Sequence, residues 1–289
     1  MRRLLVLGAK GQVGRALAAC ARQADSPHVA LGRAECDITD PRAVERAIRY
    51  SRTVINCAAY TSADRAETEV EAAHSVNGVG AENVAKACAA AAIPLVHLST
   101  EHVFDGASPR AAREDDPTGP LNVYGRSKLG GEIGVRTCLQ SHIILRTSWI
   151  FSADGNNFAK TMIRLAHEQA QLRVVDDQIG GPTAADDLAK AILSIVVASE
   201  KPGFADWGTY HFSGAPPVSR YEFARAIVAD SGVVALPVAT TDYPTPARRP
   251  ANSVLDCSRI FRIFGIRQPD WRVTVADMRE ALAANCGAR

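Results

Sequence analysis

The sequence predicts an α/β protein built on a doubly wound parallel sheet of the Rossmann type, with a smaller mixed α/β part. Two observations carry this prediction. Short, continuous apolar runs alternate with Ala-rich helical stretches, and a glycine-rich turn joins the first run to the first helix. Strands that are apolar throughout are buried on both faces, which is typical of parallel sheets covered by helices. Helices between such strands give the doubly wound arrangement.

The first half of the chain supplies these elements in order. We predict strands at 4–9, 28–32, 53–59, 95–100 and 142–149. The helices between and after them are predicted at 14–23, 40–50, 71–92 and 127–139. The second of these helices has the clearest start, because Asp40 can cap its first amides and Pro41 suits its first turn.

The regular alternation of apolar strands and helices ends after Trp149, where Pro and Gly become frequent. Helices are predicted at 157–170, 184–199 and 219–231, and strands at 172–177 and 208–214. We therefore predict a first domain over 1–150, with segments returning to it at roughly 170–198. The remainder, 151–289, forms mainly a second domain.

Composition excludes several classes of protein. Apolar residues make up 47% of the chain and charged residues 22%, and the net charge of +2 is spread along it, which favours neither a nucleic acid nor a membrane as partner. The first apolar run is about five residues, too short for a signal peptide. The 7 cysteines form no CxxC pair. This predicts a reducing cytoplasm and neither a disulfide framework nor a metal site.

The turn GAKGQVG, with Gly8, Gly11 and Gly14, follows the first strand and opens the first helix. Small residues there let backbone amides approach a pyrophosphate at a helix N-terminus, where the helix dipole favours negative charge. The alternative is a tight turn that serves close packing. The strand–turn–helix context favours dinucleotide binding and makes 1–150 the NAD(P)-binding domain.

Arg33 stands at the end of the second strand, where cofactors with a free 2′-hydroxyl usually meet an acidic residue. An arginine there can pair with a 2′-phosphate. We therefore expect NADPH, with NADH as the alternative and a solvated loop charge as the structural interpretation of Arg33.

Tyr124 and Lys128 lie four residues apart on a predicted helix, so both occupy one face. A free tyrosine has a pKa near ~10, and a neighbouring ammonium is expected to lower it toward the range useful for proton transfer. Thr100, at the end of the fourth strand, can supply a second hydrogen bond to a reacting oxygen. The three residues predict a proton donor beside a nicotinamide, and hence reduction of a carbonyl.

At this point the chain resembles the dTDP-4-dehydrorhamnose reductase family of extended short-chain reductases. The resemblance runs from the first strand to the last helix and is carried by GAKGQVG, INCAAYT, LSTEHVFDG, NVYGRSKLGGE, RTSWIF, GNNFAKTM, DDQIGGPT and TPARRPANS. It implies NAD(P)H-dependent reduction of the 4-keto group of a dTDP-4-keto-6-deoxyhexose, most simply dTDP-4-dehydro-L-rhamnose. Family members often pair as homodimers.

The resemblance also implies roles for individual residues. Tyr124 would be the proton donor, Lys128 would hold the nicotinamide ribose, and Thr100 would assist at the carbonyl. The residues implied to contact the cofactor are Gly8, Gly11, Gln12, Val13, Gly14, Arg33, Asp37, Ile38, Ala59, Tyr60, Thr61, Tyr124 and Lys128. Those implied to contact the substrate are Thr100, Glu101, His102, Trp149, Asn157, Arg248 and Arg249, and 151–289 would be mainly the substrate-binding domain.

One departure from the family pattern stands at the fourth strand, where Glu101 and His102 replace the usual aspartate and tyrosine. Drift with retained activity is one interpretation, and a different nucleotide-linked sugar of the antibiotic type is the other. His97 on the same strand is not a convincing partner for a metal bound by His102.

Two further functions remain open from the sequence. One is a non-catalytic regulatory subunit similar to the β subunit of methionine adenosyltransferase, which the presence of Tyr124 and Lys128 disfavours. The other is an epimerase that retains NAD between turnovers.

Overall fold

The computed structural model describes the backbone of residues 3–286 and the side chains of residues 3–280. Its strands are β1 (Arg3–Leu7), β2 (His28–Leu31), β3 (Ser51–Asn56), β4 (Leu95–Thr100), β5 (His142–Thr147), β6 (Ile150–Phe151), β7 (Gln171–Val175), β8 (Ile179–Gly180), β9 (Thr183–Ala184), β10 (Gly208–His211), β11 (Val218–Ser219), β12 (Val234–Val238) and β13 (Asn252–Ser253).

Its α-helices are α1 (Gln12–Gln23), α2 (Pro41–Ile48), α3 (Ala63–Ala66), α4 (Val70–His74), α5 (Ala81–Ala91), α6 (Val123–Cys138), α7 (Phe158–Glu168), α8 (Ala185–Ser199), α9 (Arg220–Ile227), α10 (Ser258–Phe264) and α11 (Trp271–Cys286). Ser75–Gly80 forms a π-helical turn, and Glu101–Val103 and Thr240–Asp242 form 3₁₀ turns. None of the helices in the described part has both the length and the apolar character needed to cross a bilayer.

The predicted doubly wound parallel sheet is confirmed. Its strands lie in the order β10-β5-β4-β3-β1-β2, and every neighbouring pair is parallel. The chain runs from β1 to β2 on one side and then returns to β3 on the other. This reversal opens a crevice beyond the carboxyl ends of β1 and β3, where ligands of such sheets bind.

Alternation of side chains along β1 shows how the sheet is covered on both faces. Leu4 and Val6 pack in the cluster that includes α1 and α8. Leu5 and Leu7 pack in the opposite cluster with α2, α5 and α6. Successive strand residues point to opposite faces, and burying each such leucine or valine contributes about 1.5–3 kcal/mol. The continuous apolar strand is therefore the sequence requirement for this two-sided packing.

A second apolar cluster holds the later part of the chain together. It joins α7, β7, α9 and α11 around Phe223 and Trp271, whose rings meet edge-on with centroids 5.3 Å apart. Two elements rejoin the first sheet instead: α8 packs against α1, and β10 pairs with β5. The segments that return to the first sheet are therefore α8 and β10, which start and end later than the predicted 170–198. The earlier part of that range forms β7, which pairs with β12 instead. The division near residue 150 stays a prediction.

The helix predicted at 71–92 is confirmed as one helical run over 70–91, in which residues 75–80 take the π form. The π-helical turn separates α4 from α5 and turns the Asn77 side chain inward, where it is 1% exposed. Its Oδ1 accepts from Tyr60 N at 2.8 Å, and its Nδ2 donates to Tyr60 O and to Ser127 Oγ, both at 2.9 Å. One buried amide thus ties the loop after β3 to helix α6.

Candidate active site

The glycine-rich turn is shaped by close backbone contacts. Gly8 has a φ of +83°, and a Cβ there would lie 2.6 Å from Ala58 N. A Cβ at Gly14 would lie 2.3 Å from Gly8 O. Gly11 stands at the N-cap of α1 and offers its first amides no side-chain cap. The turn therefore presents open backbone at a helix N-terminus, the environment that phosphate groups prefer.

A crevice of about 720 Å³ extends from this turn across the carboxyl edge of the sheet. It brings together every residue predicted to contact the cofactor: Gly8, Gly11, Gln12, Val13, Gly14, Arg33, Asp37, Ile38, Ala59, Tyr60, Thr61, Tyr124 and Lys128. Other residues that line the crevice were not predicted, among them Lys10, Cys57, Gly155 and Asn156. The last two come from the loop before α7, which no local motif linked to the glycine turn.

One end of the crevice carries an exposed arginine beside a carboxylate. Arg33 Nε donates to Asp37 Oδ2 at 3.0 Å, and the Arg33 side chain is 82% exposed. Asp37 Oδ1 also accepts from the Thr39 amide at 3.0 Å and from its hydroxyl at 2.8 Å. The Thr39 backbone bond is the main reason that the Asp37 pKa is lowered. Arg33 is free to turn toward a ligand, because only one exposed pair holds it.

Tyr124 and Lys128 lie at the other end of the crevice on α6, which begins where Asn122 Oδ1 accepts from Gly125 N at 2.8 Å. Lys128 is 3% exposed and its Nζ donates to Leu98 O at 2.6 Å. Burial lowers the Lys128 pKa to about 8. A buried ammonium with so low a pKa can hold or release a proton near neutral pH.

The predicted effect of Lys128 on Tyr124 is wrong for this structure. The Tyr124 pKa is raised, chiefly by burial and then by the charge of Glu101, and a hydrogen bond with Thr100 offsets part of the rise. Lys128 is not among the groups that shift it. Tyr124 is therefore held as the neutral phenol, the form that can donate a proton.

Three consecutive residues, beginning with the last residue of β4, lie beside the phenol. Thr100 Oγ1 lies 2.8 Å from Glu101 Oε2 and accepts from the His102 amide at 3.2 Å. Glu101 is 4% exposed, and burial raises its pKa to about 7. The His102 ring meets the Tyr124 ring edge-on, with centroids 5.3 Å apart. The departures from the family pattern thus lie directly against the predicted proton donor.

The tautomer of His102 is set by Asn122. Asn122 Oδ1 is occupied by the Gly125 amide, so its Nδ2 faces His102 Nδ1 at 2.8 Å and Arg248 O at 2.7 Å. His102 Nδ1 must therefore accept, and the ring proton resides on Nε2. Burial, followed by the charges of Arg249 and Arg220, lowers the His102 pKa to about 4. The imidazole is neutral and presents one N–H donor.

Trp149, predicted to contact the substrate, stacks on Arg220, which was not predicted, and neither lines the 720 Å³ crevice. Trp149 has a φ of +45°, and its indole packs so closely on Gly180 that a Cβ there would lie 2.5 Å from the ring. The Arg220 guanidinium lies 3.6 Å from the centroid of the Trp149 ring. Burial lowers the Arg220 pKa to about 10, and the charge of Glu101 opposes that shift. No motif in the sequence indicated that Arg220 approaches Glu101.

Asn157, Arg248 and Arg249 do not gather at one point. Asn157 caps α7 through Lys160 N at 3.0 Å, and its Nδ2 donates to Gln12 Oε1 at 2.9 Å. Arg249 forms two bonds to Asp64, of 2.7 and 2.8 Å. Arg248 is exposed, and its contribution is the carbonyl that holds Asn122. Asn157 thus caps a helix, and Arg248 and Arg249 make contacts that hold their loop in place. Binding of the substrate diphosphate by these three residues stays a prediction.

A phenol and an ammonium one helical turn apart thus lie at the end of a long crevice that starts at a glycine turn. This arrangement is that of the short-chain dehydrogenases/reductases, the class to which the fold and the site assign the chain.

Comparisons with known proteins narrow the class. The family model described as RmlD substrate binding domain matches residues 1–284. A dTDP-4-dehydrorhamnose reductase of Sinorhizobium fredii is 42% identical over 278 residues, covering 93% of this chain and 94% of that protein. One from Aggregatibacter actinomycetemcomitans is 43% identical over 290 residues, with 96% and 99% covered. The chain therefore belongs to the dTDP-4-dehydrorhamnose reductase family.

Solved structures agree with that assignment. The crystal structure of a dTDP-4-dehydrorhamnose reductase from Clostridium acetobutylicum matches with a TM-score of 0.91 and 32% identity, covering 97% of this chain and 99% of that one. The Bacillus anthracis enzyme, solved in complex with NADP, matches with a TM-score of 0.89 and 35% identity, with 96% and 99% covered. The predicted family is confirmed.

Proposed function

We propose that the protein reduces the 4-keto group of dTDP-4-dehydro-L-rhamnose to give dTDP-L-rhamnose, using NADPH. The observation that carries the proposal is Tyr124, a half-buried neutral phenol that lines the same crevice as the glycine turn and Lys128. Two relatives are named dTDP-4-dehydrorhamnose reductases, which supports the substrate. A third was solved in complex with NADP, which supports the cofactor.

The residues of the crevice fit a dinucleotide. The glycine turn leaves room for a pyrophosphate where a Cβ would collide with backbone, and Arg33 can approach a 2′-phosphate. Lys128, with Tyr124, would hold the nicotinamide ribose. When bound, the reduced nicotinamide supplies the hydride.

The chain's own groups supply the rest of the chemistry. Tyr124 donates its proton to the carbonyl oxygen, and Thr100, beside it, orients the phenol. Trp149, held by Arg220 and Gly180, forms a flat wall for the sugar. Glu101 and His102 complete the wall with one carboxyl and one N–H donor. Removal of bulk water by these buried groups strengthens each polar contact with the substrate.

The test is the oxidation of NADPH by the purified protein with dTDP-4-dehydro-L-rhamnose. We expect turnover in the wild type and a loss of about 10²–10⁴-fold in Tyr124→Phe. Binding of NADPH to that variant should be nearly unchanged, since the phenol oxygen is only one of many contacts. Tyr221→Phe, on α9 away from the crevice, is the matched control. Absence of NADPH oxidation by the wild type would refute the proposal.

A second sugar is the alternative that Glu101 and His102 favour. The pair gives the sugar wall a longer acid and an imidazole where the family pattern has an aspartate and a phenol. Comparing kcat/KM for dTDP-4-dehydro-L-rhamnose with other dTDP-4-keto-6-deoxyhexoses decides between them. A preference of more than about tenfold for another sugar, equivalent to about 1.4 kcal/mol, would assign the alternative.

We propose a nucleotide-binding domain over 1–150, supplemented by α8 and β10, and a substrate-binding domain over most of 151–289. The described cysteines are all free thiols, which supports a reducing cytoplasm. A homodimer is proposed from family resemblance alone, and sedimentation of the purified protein tests it.

A further inference from the structure

The Thr100 hydroxyl has more hydrogen-bonding neighbours than an isolated side chain needs. It accepts from the His102 amide at 3.2 Å and donates to Glu101 Oε2 at 2.8 Å, and it lies near enough to the Tyr124 phenol to oppose the rise of that group's pKa. Thr100 itself is 4% exposed, at the end of β4. The hydroxyl therefore bridges a buried acid and the proposed proton donor.

The capacity of a hydroxyl restricts how these bonds can be made. A threonine offers one O–H donor and two lone pairs. The His102 amide uses one lone pair, so one donor and one lone pair remain for Glu101 and Tyr124. For the hydroxyl to bond both groups at once, one of them donates to Thr100 while Thr100 donates to the other. Either Tyr124 donates and Glu101 is a carboxylate, or Glu101 donates as an acid and Tyr124 accepts. Thr100 is thus built to pass a proton between them.

The surroundings of Glu101 suit the role of a proton store. Tyr124 on α6 and Arg220 on α9 face it, and His102 Nε2 lies 3.9 Å from its Oε1. Asp64 and Arg249 act on His102 from the far side. Burial opposes the carboxylate, whereas Thr100, the local backbone and Arg220 favour it. The balance leaves its pKa at about 7, so both forms are populated near neutral pH.

We infer that Glu101 stores the proton that restores Tyr124 after each turnover and delivers it through the Thr100 hydroxyl. The inference rests on the proposed ketone reduction, which leaves Tyr124 as a phenolate once its proton has gone to the carbonyl oxygen. Thr100 then gives its proton to the phenolate and takes one from the Glu101 carboxyl. The Glu101 carboxylate regains a proton from water as the product leaves. Glu101 acts through Thr100 and is a positioning residue, whereas Lys128 is the competing proton source.

Glu101→Gln tests the inference because glutamine keeps the shape and removes the acidic proton. With enzyme in excess over the keto sugar, a single turnover uses the proton already on Tyr124. Steady-state turnover requires Tyr124 to be restored each time. We expect the ratio of the single-turnover rate to the steady-state rate to rise about tenfold or more over the wild-type ratio, within the range of one acid–base group. The solvent isotope effect on the steady-state rate should rise with it.

Glu101→Asp is the matched variant, since it retains a carboxyl one methylene shorter. It should recover most of the wild-type ratio, whereas a purely structural role would make both variants lose both rates together. The pH profile gives a further readout. The wild-type kcat should fall above pH of about 7, as Glu101 loses its proton, and this limb should be missing in Glu101→Gln. NADPH binding reports whether each variant is folded.

Two results would overturn the inference by different routes. An unchanged ratio and an unchanged alkaline limb in Glu101→Gln, with an active wild type, would assign the proton supply to Lys128. A wild type that completes no single turnover with any dTDP-4-keto-6-deoxyhexose would remove the proposed function and the inference with it.

Discussion

The two ends of the crevice are built in different ways. The glycine-turn end is made of backbone: Gly8 and Gly14 are there because a Cβ would collide, and the turn is specified within seven consecutive residues. The predicted sugar site is made of ionisable side chains, with the buried Glu101 and the half-buried Arg220 contributed by distant parts of the chain. A site built from backbone tolerates almost no added atom, whereas one built from side chains is tuned by their charges. The two ends should therefore fail differently when they are changed.

Gly14→Val should have the largest effect at the glycine-turn end. A Cβ there would lie 2.3 Å from Gly8 O and 2.7 Å from Ala9 Cα, both rigid backbone atoms. We expect a destabilisation of about 1–3 kcal/mol, as for other overpacked sites. Displacement of the turn should also weaken NADPH binding by about 100-fold, the loss of roughly two charge-assisted bonds to phosphate. Fluorescence titration with NADPH and thermal unfolding measure the two losses.

The control is Gly130→Ala, in the exposed part of α6, where an added Cβ meets nothing within 4 Å. Alanine favours helix over glycine by about 1 kcal/mol, so this variant should bind NADPH normally and unfold at a slightly higher temperature. Normal NADPH binding by Gly14→Val would show that the turn is only a packing feature.

Arg220→Met should have the next largest effect and should leave the other end of the crevice intact. Methionine keeps the apolar length against Trp149 but removes the charge that faces Glu101. We expect KM for the keto sugar to rise about 10–100-fold, as when one partner of a buried charge pair is lost. The Kd of NADPH should stay within a factor of about two. Steady-state kinetics with each substrate varied separates the two outcomes.

Arg225→Met provides the matched control, since Arg225 lies on the same helix α9 but is exposed and stacks on Tyr221. It should leave both constants unchanged. Equal losses of NADPH and sugar affinity in Arg220→Met would mean that the two ends are not independent.

The contrast between local backbone features and contacts of distant side chains explains which parts of the structure were predicted from the sequence. The first five strands were predicted because each is a continuous apolar run, and both faces of β4 and β5 are indeed buried. The glycine turn was found from its position between a strand and a helix, and most of the other cofactor-contact residues followed from the family resemblance. The strand and glycine-turn predictions thus rest on local information, whereas the residue roles rest on the resemblance.

The parts that were missed depend on contacts between distant residues. Neither β12 nor the helix α10 has an apolar period distinct enough to predict, and β12 is identified only by its pairing with β7. Within the correctly predicted helix at 71–92, the π form of residues 75–80 was missed, and it accompanies the contacts of Asn77 with Tyr60 and Ser127. The direction of the Tyr124 pKa shift was wrong because burial, which outweighs a nearby charge here, is not visible in a sequence.

Arg33→Ala tests the side-chain contribution at the glycine-turn end, because it removes the Arg33 guanidinium and leaves the backbone of the glycine turn unchanged. One charge-assisted bond at an exposed position contributes about 1.5 kcal/mol, so the Kd of NADPH should rise about tenfold. The Kd of NADH, which lacks the 2′-phosphate, should barely change. Arg46→Ala, an exposed arginine on α2, is the control. Equal losses for both cofactors would show that Arg33 does not contact the phosphate.

The smallest effect is expected in the loop that supports the sugar end. Arg249 is paired with Asp64, and this pair fixes the loop whose Arg248 carbonyl holds Asn122 and, through it, His102. Both partners are partly exposed, so the pair contributes about 0.5–1 kcal/mol. Arg249→Ala should therefore raise KM for the sugar by about two- to fivefold and leave the Kd of NADPH unchanged.

Arg248→Ala distinguishes this indirect role from direct binding of the diphosphate. Its guanidinium has no protein partner among residues 3–280, and its carbonyl remains in the alanine variant. If the loop acts only by supporting His102, Arg248→Ala leaves KM unchanged and Arg249→Ala raises it. If the arginines bind the diphosphate instead, Arg248→Ala raises KM at least as much, and the effect weakens in high salt. The sugar end would then depend on exposed charged side chains as well as on buried ones. Burial of charged groups would no longer be what distinguishes it from the glycine turn.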